Sequence, residues 1–239
     1  MRILVLNYEF PPLGGGASPV SYEISKGYVK LGHKVDVVTM GYKDLPHFEV
    51  KEGINIHRVK CLRSKKEICH PWEQLTYIIS AKKFLKKHLK DNRYDICHCH
   101  FIIPTGIVAL WVKKKFKIPY IITAHGSDVP NYNPDRFKIL HKFTGPILNN
   151  ICKESKFLTT PSGYLANLIK KEIGRYNIIT IPNGSEDYLN RSIKKENIIL
   201  SSGRLLKRKG YQYLIQGFNE LDPKNWKLYI VGDGPYKKE

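Results

Sequence analysis

The chain opens with MRILVLNYEFPPLGGG (residues 1–16), a short apolar run followed by a loop of prolines and glycines. The run Ile3 to Leu6 has the length and composition of a buried strand, and the glycines precede a segment, Pro19 to Leu31, with helical signals. A strand, a glycine-rich turn and a helix form the first half of a βαβ unit. This beginning predicts an α/β domain built on a parallel sheet.

Strand-like and helical segments continue to alternate after this unit. The other predicted strands of the first 180 residues are Val35 to Met40, Ile54 to Val59, Tyr94 to Cys97, Tyr120 to Thr123, Phe157 to Thr160 and Ile178 to Ile181. The helices predicted between them are Trp72 to Leu89, Pro104 to Phe116, Asp135 to Lys153 and Ser162 to Glu172. Such alternation is typical of parallel βαβ units, so residues 1–184 are predicted to form a Rossmann-like domain.

A polar segment at residues 185–197 has neither a helical nor a strand period, which predicts a linker. After it, a strand (Ile198 to Ser201), a helix (about Gly210 to Leu221) and a strand (Lys227 to Val231) begin a second βαβ run over residues 198–239. Roughly forty residues are too few to close an independent doubly wound domain. We therefore expect an incomplete second Rossmann-like domain, and no catalytic activity of these 239 residues alone.

The composition limits the classes of protein to which the chain can belong. The 239 residues are 42% hydrophobic and 26% charged, which is typical of a globular chain rather than a disordered one. No apolar run of eighteen residues and no signal peptide occur, so a cytoplasmic protein is expected. Five cysteines, an odd number scattered along the chain, indicate reduced thiols.

A net charge of +19 indicates an anionic partner, whether nucleic acid, anionic lipid or a phosphorylated substrate. No nucleic-acid-reading motif is found, so nucleic acid is not expected. The predicted helix Trp72 to Leu89 carries a lysine face beside a face of apolar residues, which are Leu75, Ile78, Ile79, Leu85 and Leu89. Two interpretations stay open: a solvated face above a core face, or peripheral contact with the anionic inner face of a membrane.

Three segments at predicted strand ends or helix starts contain candidate ligand-binding residues. Gly15 and Gly16 would let backbone amides approach a phosphate or sugar closely. His125 and Asp128 follow a buried-looking strand, where open α/β sheets bind ligands, although a histidine closing a turn with Asp128 is the structural alternative. Arg204 and Lys209 flank a helix start in the second domain and suit a phosphate group, although a solvated basic loop is the alternative.

Several familiar sites are disfavoured. The first loop lacks the third glycine of a dinucleotide-binding fingerprint, and the order Lys209-Gly210 does not fit a P-loop. The run Cys97-His98-Cys99-His100 resembles metal-ligand material, but on a strand the cysteines face one way and the histidines the other, so the four cannot converge on one ion. His98 and His100 are expected to be packing or loop-bracing residues.

Five short motifs occur together in a single order. They are the proline- and glycine-rich loop, His125-Gly126-Ser127-Asp128, Ile181-Pro182-Asn183-Gly184, the segment from Gly203-Arg204 to Lys209-Gly210, and Val231-Gly232-Asp233-Gly234-Pro235. In this order they resemble family 4 glycosyltransferases over essentially the whole chain. The resemblance implies a GT-B fold with two facing Rossmann-like domains, and transfer of a sugar with retention of configuration in glycolipid, glycan or cell-envelope polysaccharide synthesis.

The resemblance also implies partners and roles. The donor would be a UDP- or GDP-sugar, and the acceptor a sugar, a lipid-linked molecule or a glycan. His125 would contact the transferred sugar, Arg204 and Lys209 the donor diphosphate, and the loop at Gly15 and Gly16 the phosphates or acceptor. Asp128, Asn183, Gly232 and Gly234 would line the cleft.

No cofactor and no metal are expected, because no Asp-x-Asp motif is present and the two cations would offset the charge of the leaving group. The family's Glu-x7-Glu segment, which holds donor sugar and ribose, does not occur in these 239 residues. A nucleotide-binding fragment without catalysis is therefore the alternative function.

Overall fold

A computed structural model describes residues 1–133, 138–184 and 194–238, with the side chains of 138–144 not included. The chain divides into two compact units, Met1–Ser185 and Glu186–Glu239, which we describe separately. Most of the linker predicted at 185–197 lies outside the described residues, as does the beginning of the helix predicted from Asp135. Among the described residues, no helix is both long and apolar enough to cross a bilayer.

The first unit is a single eight-stranded sheet with helices between its strands. The strands are β1 (Arg2–Leu6), β2 (Lys34–Met40), β3 (Phe48–Lys51), β4 (Ile54–Val59), β5 (Ile96–His100), β6 (Tyr120–Thr123), β7 (Leu158–Thr160) and β8 (Ile178–Thr180). The helices are α1 (Ala17–Lys30), α2 (Pro71–Asp91), α3 (Thr105–Phe116), α4 (Lys138–Glu154) and α5 (Gly163–Glu172). The sheet order is β3-β4-β2-β1-β5-β6-β7-β8, and every pairing except that of β3 with β4 is parallel.

Both faces of the central strands are covered, which confirms the predicted doubly wound α/β architecture. Leu4 and Leu6 pack into the larger core cluster, on one face of β1, and Ile3 and Val5 pack into a second cluster on the other. A strand buried on both faces requires an uninterrupted apolar run, and this is why the sequence Ile3 to Leu6 has no alternation. Because β1, β5 and β6 are parallel, their carboxyl ends lie at the same edge of the sheet.

The antiparallel strand β3 was not predicted. Its side chains give no alternating burial signal, because Phe48 and Val50 are both largely exposed. The strand is held by its backbone pairing with β4 at the edge of the sheet rather than by a core-facing stripe. A short edge strand of this kind leaves little trace in the hydrophobic pattern.

The predicted strand Tyr94 to Cys97 was displaced from its true position. β5 runs from Ile96 to His100, and both histidines are buried within it. Tyr94 instead lies before the strand, with the Arg2 guanidinium above its ring at 4.7 Å. Two polar side chains inside a buried strand suggest a strand end, but here each imidazole has a hydrogen-bond partner that makes burial tolerable.

The apolar face predicted for the second helix was partly wrong. Leu85 and Leu89 are buried, but Leu75 and Ile79 are 59% and 68% exposed. The stripe of α2 that faces the sheet consists of Glu73, Tyr77, Ala81, Leu85 and Leu89. Glu73 fixes this orientation, because its buried carboxylate accepts hydrogen bonds from the backbone N–H groups of Ser64 (2.6 Å) and His70 (2.7 Å) at the helix start.

The second unit contains a parallel pair of strands, β9 (Ile198–Ser202) and β10 (Lys227–Val231), with α6 (Tyr211–Leu221) between them. Short 3₁₀ helices occupy Lys207–Lys209 and Pro235–Lys238. These elements match the predicted second βαβ run within one residue at each end. Among its described residues, Tyr211 is the only buried hydrophobic side chain.

Candidate active site

His125 lies at the carboxyl edge of the first sheet, two residues after β6 ends at Thr123. Its Nε2 is 3.0 Å from Nδ1 of His100, the last residue of β5, and the two rings stack with centroids 5.3 Å apart. The Phe101 ring lies 4.8 Å from the His125 ring and 5.0 Å from the ring of Tyr8, which follows β1. The ends of β1, β5 and β6 thus meet around one partly exposed imidazole.

Asp128 organises the backbone of this edge rather than the His125 side chain. Its Oδ1 accepts hydrogen bonds from the backbone N–H groups of His125 (3.1 Å) and Gly126 (2.9 Å). Its Oδ2 accepts one from the N–H of Ile102 (2.7 Å), in the loop after β5. The turn with Asp128 that was the structural alternative is therefore present, but it uses the backbone N–H of His125, and the imidazole remains available for other contacts.

Burial sets the charge states of these groups. It lowers the pKa of His125 to about 4, so the imidazole is neutral at pH 7. Burial raises the pKa of Asp128 to about 6, against the opposing effect of the hydrogen bonds from Ile102, His125 and Gly126. A neutral imidazole can act as donor through one nitrogen and acceptor through the other, which suits recognition of hydroxyl groups.

The backbone of Phe101 is strained where β5 ends. Its φ is 75°, in the left-handed region that a bulky side chain rarely adopts. The hydroxyl of Thr105 donates to the carbonyl oxygen of Phe101 (2.6 Å) and also to that of His100. Such strain costs roughly 1–3 kcal/mol and is concentrated in proteins at functional sites. Its position beside His125 therefore supports this edge as the candidate site.

The glycine-rich loop after β1 is partly open. A Cβ atom on Gly15 or Gly16 would meet no atom within 4 Å, whereas Gly14 has φ +94° and a Cβ there would lie 2.5 Å from that of Glu9. Gly14 therefore shapes the turn, and Gly15 and Gly16 leave room for a ligand. The N–H of Gly15 lies 3.3 Å from Oε2 of Glu9, so this carboxylate already occupies one amide that we expected to face a ligand.

Sequence reasoning missed Glu9 and Arg63, which stand beside this loop. The Arg63 side chain is fully buried, and its guanidinium donates to the carbonyl oxygens of Lys65 and Lys66 (both 3.0 Å). One of its nitrogens lies 3.7 Å from a carboxylate oxygen of Glu9. No local pattern marks this pair, because the two residues are 54 positions apart and meet only through the fold.

In the second unit, Arg204 and Lys209 are both exposed and both follow β9. Lys209 ends the first 3₁₀ helix, one residue before Gly210, the N-cap of α6. A helix N-terminus carries a partial positive charge, which adds to that of the lysine. These two cations thus lie beyond the carboxyl end of β9, and anion binding by them remains a prediction.

Gly232 and Gly234 bring the end of β10 against the loop that carries Arg204. A Cβ on Gly232 would lie 1.9 Å from the carbonyl oxygen of Gly203, and one on Gly234 would lie 2.2 Å from that of Leu205. Both glycines therefore permit two backbone segments to touch. Their observed role is close packing, and a ligand contact remains a prediction.

Asn183 is exposed and follows β8 by three residues. In the sheet order, β7 lies between β8 and the strand that leads to His125. No hydrogen bond or ion pair joins Asn183 to His125 or Asp128 among the described residues. The structure thus groups His125 with Asp128 but does not bring Asn183 to them.

A group of potential metal ligands, which the sequence did not reveal, lies inside the first unit. Ligand atoms of Asp36, His57 and His88 lie within 4.8 Å of one another. All are already hydrogen-bonded: Asp36 with Arg2 and His57 (both 3.2 Å), and His88 with the Tyr94 hydroxyl (2.7 Å). Because the Arg2 guanidinium already pairs with this carboxylate, we interpret the cluster as a structural network.

Comparison with known proteins identifies the family of the chain. Residues 14–186 match the family described as Glycosyltransferase Family 4, and residues 188–239 match Glycosyl transferases group 1. An uncharacterized glycosyltransferase of Methanocaldococcus jannaschii is 31% identical over 98% of this chain and 63% of its own length. The alpha-monoglucosyldiacylglycerol synthase of Streptococcus pneumoniae is 24% identical over 99% of this chain and 56% of its own length. The chain thus spans about six-tenths of the length of these relatives.

Among solved structures, the sucrose-phosphate synthase of Thermosynechococcus elongatus superposes with a TM-score of 0.73 at 16% identity, covering 97% of this chain and 62% of the other. The fold is accordingly that of the GT-B glycosyltransferases. The family match covers well over half of the chain, and it includes the loop at Gly15 and the turn at His125. On this evidence the chain belongs to Glycosyltransferase Family 4.

Proposed function

We propose that the whole protein, meaning this chain with any sequence that accompanies it, transfers a hexosyl group from a nucleotide sugar to an acceptor hydroxyl with retention of configuration. The observation that carries the proposal is the neutral, partly exposed His125 ring, held by His100 at the carboxyl edge of the sheet. A neutral imidazole at this edge is suited to hydrogen-bond a hydroxyl of the transferred sugar.

In this proposal the donor is a UDP- or GDP-sugar, and Arg204 and Lys209 bind its diphosphate. The guanidinium of Arg204 offers paired N–H donors to phosphate oxygens, and Lys209 adds a mobile charge at a helix start. Negative charge accumulates on the nucleoside diphosphate as the glycosidic bond breaks. The two cations would stabilise that charge in the transition state more than in the ground state, which is what accelerates a reaction.

Replacing Arg204 or Lys209 with Ala in the whole protein is expected to weaken UDP or GDP binding by about ten- to a hundredfold, because a charge-assisted contact contributes roughly 1.5–3 kcal/mol. Titration calorimetry measures this change. Lys227→Ala is the matched control, because Lys227 begins β10 at the opposite edge of the second sheet. Unchanged affinity in both site variants would show that the diphosphate binds elsewhere.

Transfer is also expected to continue in excess EDTA, since we propose no metal in the reaction. The two cations would supply the charge that a divalent ion supplies in other transferases. The measurement is nucleoside diphosphate release before and after chelation. Loss of activity with EDTA and its return with Mn²⁺ would contradict this part of the proposal.

We further propose that one stripe of α2 binds the cytoplasmic face of an anionic membrane, and that the acceptor is held at this membrane. The stripe comprises Trp72, Leu75, Ile79, Lys83, Lys86 and Lys90, which recur at intervals of three or four residues. Its three apolar members are 52–68% exposed, and its three lysines are also exposed. Helices that lie in a lipid interface combine exposed aromatic and aliphatic side chains with lysines, and this surface of α2 contains both kinds.

The direction in which this helix runs supports the membrane proposal. α2 connects the parallel strands β4 and β5, so it begins at the carboxyl edge and runs back along the sheet. The apolar end of the stripe, at Trp72, therefore lies toward the edge that contains His125. A lipid-linked acceptor would be held near that edge.

The triple variant Lys83→Gln, Lys86→Gln, Lys90→Gln is expected to bind phosphatidylglycerol-containing vesicles about a hundredfold more weakly at low salt, because each lysine near an anionic surface contributes about 1 kcal/mol. Vesicle sedimentation over a salt series measures this. A matched triple variant, Lys30→Gln, Lys34→Gln, Lys114→Gln, removes the same charge from other exposed positions. Equal losses of vesicle binding in both variants would show that net charge alone determines the binding. That result would contradict a specific membrane-binding surface.

A nucleotide-binding protein without catalysis is the second candidate function. The cations after β9 favour it as much as they favour transfer, since they require only an anionic ligand. It predicts UDP or GDP binding with no release of nucleoside diphosphate from any nucleotide sugar. The two functions are thus separated by turnover and not by affinity.

A further inference from the structure

His98 belongs to a chain of hydrogen bonds through three strands. The Thr159 hydroxyl lies 3.2 Å from the carbonyl oxygen of Ile122 and 2.7 Å from the Thr123 hydroxyl. The Thr123 hydroxyl in turn lies 2.8 Å from Nε2 of His98, and the Tyr28 hydroxyl lies 3.0 Å from Nδ1. Both nitrogens of this buried ring therefore have a partner within the fold.

His100 stands next to this chain and shares its neutral state. Its ring lies 4.3 Å from that of His98, centroid to centroid, and burial lowers the pKa of both imidazoles. Nδ1 of His100 contacts Nε2 of His125, and its own Nε2 is buried with no hydrogen-bond partner among the described residues. One proton lies between the two contacting nitrogens, so two arrangements are available. Either His125 donates to His100, or His100 donates to His125.

The orphan nitrogen decides between these arrangements. If His125 donated to His100, the remaining proton of His100 would sit on Nε2, as a buried N–H without an acceptor. If His100 donates to His125, its Nε2 is instead a bare lone pair. Among buried backbone groups, an N–H without an acceptor is rarer than a carbonyl oxygen short of a partner, and we apply the same order to this imidazole. The second arrangement is therefore favoured.

We propose that His100 is a positioning residue: it donates from Nδ1 to Nε2 of His125 and so fixes His125 in the Nδ1–H tautomer. Among the described residues, no hydrogen bond reaches Nδ1 of His125, although this nitrogen is not fully buried. The N–H at this position is then a neutral donor directed to a ligand. The role rests on the proposed sugar transfer, in which His125 would donate to an oxygen of the transferred sugar.

The test is ¹⁵N-histidine NMR of the protein at neutral pH, since protonated and bare imidazole nitrogens resonate far apart. His125→Gln identifies the His125 signals by their loss. We expect the wild type to have a bare Nε2 and a protonated Nδ1 at His125. His100→Asn should preserve this pattern, because the Asn amide places an N–H donor where Nδ1 of the imidazole stood. His100→Ala should remove the donor and return His125 largely to the Nε2–H form.

A protonated Nε2 at His125 in the wild type would overturn the proposal without any variant. An unchanged His125 tautomer in a folded His100→Ala variant would also overturn it, because His100 would then not set the tautomer. Circular dichroism establishes that each variant is folded. The measurement needs no donor or acceptor, so a failure to detect sugar transfer would count against the proposed function and leave this result intact.

Discussion

Replacing His125 with Ala is expected to lower the rate of sugar transfer by the whole protein about 10²- to 10³-fold. Loss of one preorganised donor in a partly buried site commonly has an effect of this size. Folding should change far less, because the ring is partly exposed and forms one hydrogen bond, to His100, within the described part of the chain. A single intramolecular hydrogen bond contributes about 1 kcal/mol to the free energy of unfolding.

The assay for this variant pairs initial rates with the urea midpoint of unfolding. His33→Ala is the control, because His33 lies in the turn before β2, at the amino end of the strands and away from His125. It should keep both rate and stability. If His125→Ala lost activity only in proportion to its loss of folded protein, His125 would be a structural residue and the assigned role would fail.

Replacing Asp128 with Ala is expected to decrease the free energy of unfolding of the first unit by about 3–6 kcal/mol. The variant leaves three N–H groups, those of Ile102, His125 and Gly126, without the acceptor they have now. Each buried donor left unsatisfied costs roughly 1–3 kcal/mol, and water entering the partly exposed edge reduces the sum. The loss is a large fraction of the 5–15 kcal/mol that is typical of a folded domain.

Two further variants calibrate the Asp128 result. Asp128→Asn keeps one acceptor oxygen but directs an amide N–H at a backbone N–H, so it should recover only part of the loss. Asp95→Ala is the control, because Asp95 also accepts a hydrogen bond from a backbone N–H, that of Arg2 (2.7 Å), but at an exposed position. Its effect should stay below about 1 kcal/mol. Equal destabilisation by Asp128→Ala and Asp95→Ala would contradict the bracing role.

The strand and helix alternation could be predicted because most elements have a clear period and a covered face. His125 could be placed at the sheet edge for the same reason, since a buried run is followed directly by His-Gly-Ser-Asp. One of the failures in the first unit was the position of β5. Its burial depends on partners at Tyr28 and Thr123 that are distant in the sequence, and a polar residue inside a strand is acceptable only when such partners exist.

The face of α2 was ambiguous for a related reason. Leu75 and Ile79 fit a helical period as well as Tyr77 and Leu85 do, and hydrophobicity alone cannot choose between the two stripes. The choice is made by Glu73, whose hydrogen bonds to the segment before the helix fix the rotation about its axis. Pairings of this kind, like that of Glu9 with Arg63, depend on tertiary structure and leave no local signal.

Turnover of nucleotide sugars by the whole protein tests the central claim most directly. A panel of UDP- and GDP-sugars would be incubated with sugar, glycan and lipid-linked acceptors in EDTA, with nucleoside diphosphate release measured and the anomeric configuration of the product read by NMR. We predict release that depends on the acceptor, and a product with the configuration of the donor. No turnover of any donor in the panel, or a product of inverted configuration, would contradict the account.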